Sequence, residues 1–145
     1  MKPPNESDQA GDTLVRGYQH WAVHLRRGQV TLGSLVLACL DPAPTMASLP
    51  PEAFLELKQV MTEVEATLSS LFRYDKINYL VLMMVDPQVH FHVIPRYGSP
   101  RSFGGVPFLD PDWPMPADTL RVQPTTAALL EQLRDHLRQR WLRTT

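Results

Sequence analysis

The sequence has a single cysteine, Cys39, in 145 residues. One thiol cannot close an internal disulfide or form a Cys-x-x-Cys zinc clip, so we expect a cytoplasmic protein in a reducing environment. No apolar run reaches the ~20 residues that a membrane span needs. Lys and Arg number 14 against 15 Asp and Glu, and the net charge of −1 supplies no strong field for steering onto nucleic acid or an anionic membrane. We therefore expect neither as a partner.

The length and the 43% hydrophobic content suit one domain with a real core. Residues 1–12 are polar and contain prolines and glycine, which predicts a mobile leader. Residues 13–145 are then expected to form the domain. Many of the 14 prolines fall in two clusters, at residues 42–51 and 95–124, and these clusters mark connections.

The first half of the domain predicts a hairpin followed by a helix. Residues 21–25 alternate between apolar and polar side chains, as a half-buried strand does. After a turn, residues 30–40 are rich in apolar and β-branched side chains and predict the return strand, with Gly33 at a bend. Residues 52–72 then carry apolar side chains at three-and-four spacing, which indicates one face of a helix.

The second half predicts two strands, a long loop and a last helix. Residues 77–85 form an apolar run, which predicts a strand buried on both faces. Residues 89–94 predict a further strand that stops at Pro95. The proline-rich stretch 97–124 is too long for an ordinary connector, and a leucine stripe predicts a final helix over residues 126–142. Strands joined by short turns pair antiparallel, so we expect an α+β fold with helices packed on a sheet.

The most suggestive side chains lie on the strand that ends at Pro95. Alternate strand residues share a face, so Gln88, His90 and His92 should point the same way. Histidines on an apolar strand cost desolvation energy, which favours a site, although satisfied core or edge histidines are the simpler interpretation. A site could be a metal centre or a histidine nucleophile acting at phosphorus. A metal centre would need further ligands, for which the candidates are His20, His24 and Asp86.

The segment 88–96, Gln-Val-His-Phe-His-Val-Ile-Pro-Arg, resembles the signature of the histidine triad (HIT) superfamily, in which three histidines alternate with apolar residues before Pro-Arg. The order of hairpin, Pro-Pro-Glu helix and two strands matches as well, over about residues 14–97. The resemblance implies a HIT-like antiparallel sheet of about five strands with two main helices. It also implies a homodimer of two sheets joined into one.

The resemblance also implies an activity. HIT proteins are mostly nucleotidyl hydrolases or transferases that act at the α-phosphate of dinucleoside polyphosphates, nucleoside phosphoramidates or related nucleotides. The ligand would be such a nucleotide, with no resident cofactor beyond a divalent metal ion carried on the substrate phosphates. His90 falls on the nucleophile and would form a transient nucleotidyl-histidine. His92 falls on the position that contacts the same phosphate.

Gln88 falls on the first triad position and departs from the family pattern. In the family, the main-chain carbonyl of that residue accepts a hydrogen bond from the nucleophile's other ring nitrogen, and the resemblance implies that Gln88 keeps that role because its carbonyl is present. A glutamine side chain cannot act as a general acid at neutral pH. An inactive nucleotide-binding module is therefore the main alternative function, and a His-x-His metal-binding protein is the third.

Two further elements of the family pattern are missing. No Gly-Gln-Ser/Thr precedes the triad, and the histidine that usually follows Pro-Gly in the first hairpin is replaced in Leu32-Gly33-Ser34. Leaving phosphates would then be bound by Arg96 or Arg101, whose planar forks match phosphate oxygens. The family's ribose-binding position falls between His24 and Arg26, which either line the pocket or are exposed polar residues of the strand.

Overall fold

A computed structural model describes residues 13–144, and the predicted leader lies outside the described residues. Within residues 13–144 the chain forms seven strands, two α-helices and a short 3-10 helix, Met46–Ser48. The strands are β1 Leu14–Gly17, β2 Trp21–Leu25, β3 Leu35–Cys39, β4 Lys76–Leu80, β5 His90–Arg96, β6 Arg101–Phe103 and β7 Val106–Phe108. The helices are α1 Pro51–Phe72 and α2 Ala127–Gln139. No helix of this part of the chain is long and apolar enough to span a membrane.

The main sheet has five antiparallel strands in the order β1-β2-β3-β5-β4, while β6 and β7 form a separate hairpin. The α+β prediction is therefore confirmed. Two rows of paired residues cross the middle of the sheet. Ala22 pairs with Ala38, which pairs with His90, and His24 pairs with Val36, which pairs with His92. The histidines thus share one face of the sheet.

The opposite face of the sheet packs against α1. Trp21 and Phe91 lie on this face with ring centroids 5.8 Å apart, and the Trp21 indole donates to the Ala53 carbonyl at 2.8 Å. The helix begins at Pro51, where a missing N–H costs nothing. It ends at Phe72, and Arg73 caps it in the left-handed conformation. The predicted helix is confirmed, and its stripe of Leu57, Val60, Val64, Leu68 and Phe72 is buried.

A buried carboxylate joins α1 to the C-terminal segment. Glu63 accepts hydrogen bonds from the Tyr18 hydroxyl at 2.7 Å, the Trp141 indole at 2.9 Å and the Thr144 hydroxyl at 2.9 Å. Burial raises the pKa of Glu63, but hydrogen bonds from Tyr18, Gln59 and these other donors outweigh it and lower the pKa to about 2. The chain after α2 is therefore fixed through a charged group in the interior.

The predicted return strand at residues 30–40 is too long, because β3 begins only at Leu35. Gly33 has φ 87°, a conformation that breaks an extended strand. The Gln29 side chain also closes a turn here, accepting from the Gly33 amide at 2.9 Å and donating to the Ser34 carbonyl at 2.9 Å. Residues 29–34 therefore form a hydrogen-bonded turn.

The prediction of a strand buried on both faces at residues 77–85 is wrong. The strand β4 ends at Leu80 and lies at the edge of the sheet, and none of its residues is fully buried. The apolar residues that follow are exposed, with Met84 at 86% and Val85 at 70%. A run of apolar residues does not distinguish a central strand from an edge strand with an apolar extension.

The prediction that the next strand stops at Pro95 is also wrong. In β5 the chain continues to Arg96, and Pro95 pairs with Ile77 of β4. The Pro95 carbonyl accepts a hydrogen bond from the Thr31 hydroxyl at 2.5 Å. This bond lies on the β3 side of the strand, beyond the pairing of Leu35 with Val93 where the β3 ladder stops. A proline there removes no hydrogen bond of the ladder.

Two smaller differences concern short strands. The sequence patterns do not predict β1, which pairs with β2 across an irregular register. The predicted loop at residues 97–124 contains the hairpin of β6 and β7.

The final helix is confirmed but ends at Gln139, and the Thr126 hydroxyl caps its start by accepting from the Leu129 amide at 3.1 Å.

Candidate active site

The strand β5 carries His90 and His92 on the face of the sheet away from α1. Their ring centroids lie 5.1 Å apart, with the planes nearly perpendicular at 79°. Strand alternation accounts for this arrangement, since Phe91 between them packs in the core on the other face. The structure thus brings the two predicted imidazoles together.

His90 is held in one tautomer by the main chain. Its Nδ1 lies 2.7 Å from the Gln88 carbonyl oxygen. A carbonyl only accepts hydrogen bonds, so Nδ1 must carry the proton and Nε2 keeps its lone pair. Among the described residues Nε2 has no hydrogen-bond partner, and the residue is 7% exposed. This is the state that a histidine nucleophile requires.

Gln88 is itself anchored to the sheet. Its side-chain amide donates to the Cys39 carbonyl at the end of β3, and its main-chain amide donates to the Asp86 carboxylate at 3.0 Å. The Cys39 amide donates to the neighbouring Val89 carbonyl at 2.9 Å. These bonds fix the peptide whose oxygen orients His90. The Gln88 side chain is therefore engaged with β3, and the residue acts on His90 through its carbonyl.

His92 is neutral at physiological pH. Burial, followed by the charges of Arg26 and His90, lowers its pKa to about 4. Its Nδ1 is buried and has no hydrogen-bond partner among residues 13–144. A neutral imidazole in this position can donate or accept one hydrogen bond but brings no charge of its own.

His24 and Arg26 lie beside this pair, at the end of β2. His24 is buried, so the interpretation of an exposed polar residue is wrong for it, and its Nδ1 lies 3.0 Å from the Thr13 hydroxyl. Burial lowers the pKa of His24. The Arg26 guanidinium donates to the Gly28 carbonyl at 2.6 Å and to the Thr119 carbonyl at 3.0 Å. Arg26 thus supplies positive charge near His92 and links the site to the long loop.

The structure does not bring Arg96 to the histidines. Its guanidinium is buried and donates to both oxygens of Asp110, at 2.7 and 3.1 Å, to the Asn78 amide oxygen at 2.9 Å and to the Met115 carbonyl at 2.6 Å. Arg96 also lies six positions along the strand from His90, a distance of about 20 Å. The predicted role in phosphate binding is therefore corrected: Arg96 fastens the long loop to the sheet.

Arg101 also has a structural role in place of the predicted phosphate contact. It donates to the Phe72 carbonyl at 2.9 Å and the Arg73 carbonyl at 2.6 Å, at the C-terminal end and cap of α1, and to Ser99. These carbonyls lack partners within the helix and form the negative end of its dipole. The sequence could not show this role, because the partners lie 28 or 29 residues away.

Sequence patterns did not predict a cavity that Gln88 borders. It measures about 370 Å³ and lies between the residues after β3 and the residues before β5, with Gln88 in its wall. Its prolines, Pro42, Pro44 and Pro87, are the signal that the sequence offers, but a proline cluster indicates a connection and not a cavity. Among residues 13–144 no group of three or more His, Cys, Asp or Glu side chains is placed to hold a metal, so His20, His24 and Asp86 do not complete a metal centre with His90 and His92.

Comparisons with solved structures identify the fold. A histidine triad protein from Bradyrhizobium japonicum superposes with a TM-score of 0.71 at 20% identity, over 96% of this chain and 98% of that one. A histidine triad protein from Sinorhizobium meliloti superposes with a TM-score of 0.72 at 18% identity, over 94% of this chain and 96% of that one. A histidine triad protein from Marinobacter aquaeolei superposes with a TM-score of 0.66 at 23% identity, over 93% of each chain.

The chain therefore has the histidine triad fold. No protein-family profile matches the sequence, and no curated protein gives a significant match. The superposed structures extend over almost the whole of both chains, so the two helices and the sheet that carries His90 and His92 belong to one shared architecture. At these identities the likeness concerns the fold, and the activity has to be argued from the site.

Proposed function

We propose that the protein hydrolyses or transfers nucleotidyl groups, with His90 as the nucleophile at the α-phosphate of a nucleotide or dinucleotide. The observation that carries this proposal is the 2.7 Å contact between His90 Nδ1 and the Gln88 carbonyl. It leaves the Nε2 lone pair available. The histidine triad fold supports the same role for the same strand position.

The reaction proceeds in two displacements. The His90 Nε2 lone pair attacks the α-phosphorus, and the bond to the leaving group breaks with its electron pair moving to that group. A water oxygen then attacks the phosphorus, the P–N bond breaks with its pair returning to Nε2, and the water proton passes to solvent. His92 donates a hydrogen bond to a phosphate oxygen, and the nearby Arg26 charge stabilises the developing negative charge.

Gln88 is a positioning residue in this scheme. Its carbonyl orients the His90 ring and stabilises the positive charge that the ring gains on attack. Its side chain ties that peptide to β3 through the Cys39 carbonyl. The replacement of a histidine at this position therefore preserves the nucleophile while removing a possible proton donor.

The test is a comparison of His90→Ala with His136→Ala, which removes a histidine of α2 instead. Purified variants are incubated with a panel of nucleotides and dinucleotides, and products are separated by chromatography. We expect turnover to be lost in His90→Ala and kept in His136→Ala, with both variants folded by circular dichroism. Nucleotide binding without turnover in the wild type would instead favour the inactive binding module.

We also propose a homodimer that joins two sheets through β4. No strand of residues 13–144 pairs with the outer edge of β4, and Val81, Leu82, Met84 and Val85 beyond it are exposed. Exposed edges and apolar patches favour association. Light scattering should show a dimer for the wild type and a monomer for the double variant Leu82→Asp, Val85→Asp. The matched control is Leu120→Asp on the long loop, which should stay dimeric.

For the location we propose the cytoplasm. The single cysteine, Cys39, is buried and free, as a reducing compartment allows. Fractionation of cells that express the chain with a C-terminal tag tests this assignment. Recovery in the soluble cytoplasmic fraction is expected, and recovery outside that compartment would contradict it.

A further inference from the structure

A cavity of about 510 Å³ lies at the C-terminal end of α1. Its walls come from the turn before β3, the end of α1 and the segment that leads into β6, and neither His90 nor His92 lines it. On β5, Arg96 lies about 20 Å from His90, and the lining segment begins beyond Arg96. Ligand cavities measure about 300–1,000 Å³. This cavity is therefore large enough for a small molecule and separate from the histidine pair.

Arg101 forms part of the wall and neutralises the end of α1. Its guanidinium donates to the Phe72 and Arg73 carbonyls, and to the Ser99 carbonyl and hydroxyl at 2.9 and 2.8 Å. Without these bonds the helix carbonyls would present partial negative charge to the cavity. Asp75 lies 3.8 Å from Arg101, and its side chain is 47% exposed, so water screens that pair. The end of α1 therefore does not repel an anion.

Arg73 supplies a cation that the fold does not use. It lines the cavity and is exposed, and its side chain forms no hydrogen bond or ion pair within residues 13–144. It is also the only non-glycine residue of this part of the chain with positive φ, at 49°. Glycine would adopt that conformation at lower cost. A basic side chain at a helix end commonly binds the last carbonyls, but Arg101 binds them here.

Two serine hydroxyls add hydrogen-bond donors to the same wall. The Ser99 hydroxyl accepts from Arg101, so its own proton is available to another acceptor. The Ser102 hydroxyl has no hydrogen-bond partner among residues 13–144. No Asp or Glu is among the lining residues, all of which lie in the described part of the chain. The polar part of the cavity therefore presents cations and donors, which suit an anion.

The other part of the cavity is apolar. Leu32 and Phe72 are buried residues of the core, and Leu71 beside them is half-buried. Core residues keep their positions when a ligand binds, so this surface is preformed. A bare inorganic anion would leave it in water, whereas an apolar group attached to the anion would cover it and gain binding energy.

We propose that this cavity binds a small phosphate monoester with an apolar body. The phosphate contacts Arg73 and the two serine hydroxyls, and the body lies against the apolar part. A phosphate is favoured over a carboxylate because it carries a charge of about −1.5 to −2 and three strong acceptor oxygens, which match two arginines and two hydroxyls. The planar Arg73 guanidinium can donate two parallel hydrogen bonds to it. This site goes beyond the proposed function, since it does not involve the histidine pair.

The probe for this site is phenyl phosphate, titrated into isotopically labelled protein and followed by NMR. We expect saturable shifts of the amides of Arg73 and residues 98–103. Inorganic phosphate lacks the apolar body and benzoate lacks the phosphate, so each should bind at least about tenfold more weakly. Equal affinity for either control, no saturation by about 10 mM phenyl phosphate, or shifts confined to residues 88–92 would overturn the proposal.

Two variants of Arg73 test its contact with the phosphate. Arg73→Gln removes the charge, and Arg73→Gly also removes the positive-φ strain, so that this second variant should fold. Both should bind phenyl phosphate at least about tenfold more weakly than the wild type. The matched control is Lys76→Gln, which removes an exposed cation that does not line the cavity, and it should keep the wild-type affinity. Wild-type affinity in Arg73→Gly, or an equal loss in Lys76→Gln, would contradict the assignment.

Discussion

Replacing His92 with asparagine should flatten the pH dependence of the free energy of unfolding between about pH 6.5 and 4. Burial, together with Arg26 and His90, lowers the pKa of His92 from 6.5 to about 4 in the folded protein. Between those values the unfolded chain binds a proton here and the folded chain does not, so acidification favours unfolding. At about 1.4 kcal/mol for each pH unit, the group accounts for about 3 kcal/mol of stability, present above pH 6.5 and lost as the pH falls to 4.

The assay is urea unfolding followed by tryptophan fluorescence at several pH values across this range, since Trp21 and Trp141 are buried. His20→Asn is a control of opposite sign. The hydrogen bond to Asp41 raises the pKa of His20, so this group stabilises the fold at low pH and loses that contribution as the pH rises through its folded pKa. Its removal should steepen the acid loss. Parallel curves for His92→Asn and the wild type would refute the reasoning about His92.

Three further changes test the packing around the site. Glu63→Gln should remove the loss of stability that the wild type shows between about pH 4.5 and 2. The lowered pKa of Glu63 makes that loss about 3 kcal/mol, and acid titration of the variant beside the wild type measures it. Asp110→Asn leaves the buried Arg96 guanidinium without its anion and should cost about 3 kcal/mol in urea; a loss well below 1 kcal/mol would mean that the pair is dispensable. Gly33→Ala should cost about 1–2 kcal/mol in thermal unfolding, because φ is 87° and the new Cβ would lie 3.1 Å from the Phe72 ring, and an unchanged melting temperature would contradict this.

Local sequence patterns predicted the helices and strands whose formation depends on neighbouring residues. The stripe on α1 and the extended run at β2 each depend on residues a few positions apart, and the structure has both elements. The prediction that β2 is half-buried is wrong, because all five of its residues are buried. The shared face of His90 and His92 likewise follows from the period of a strand. These are the parts of the candidate site that the sequence alone defined.

The remaining parts depend on contacts between distant segments. Whether the run at residues 77–85 is central or at an edge depends on which strand pairs beyond it, and no strand of the described chain does. Arg96 and Arg101 have the chemistry of phosphate ligands, but Asp110 and the end of α1 bind them. The cavity beside Gln88 exists because residues 40–44 meet residues 87–88. The spacing of residues in the sequence does not predict contacts between segments that lie so far apart in the chain.

The most direct test of the central claim is the mass of peptides from protein quenched in acetonitrile during turnover. The probes are the nucleotides and dinucleotides of the activity panel, with all four common bases represented so that the result does not depend on the base. We expect one nucleotidyl group on the peptide that contains His90, located to that residue by fragmentation and missing in His90→Ala. Turnover in His90→Ala at the wild-type rate, or a nucleotidyl group on another residue, would contradict the account.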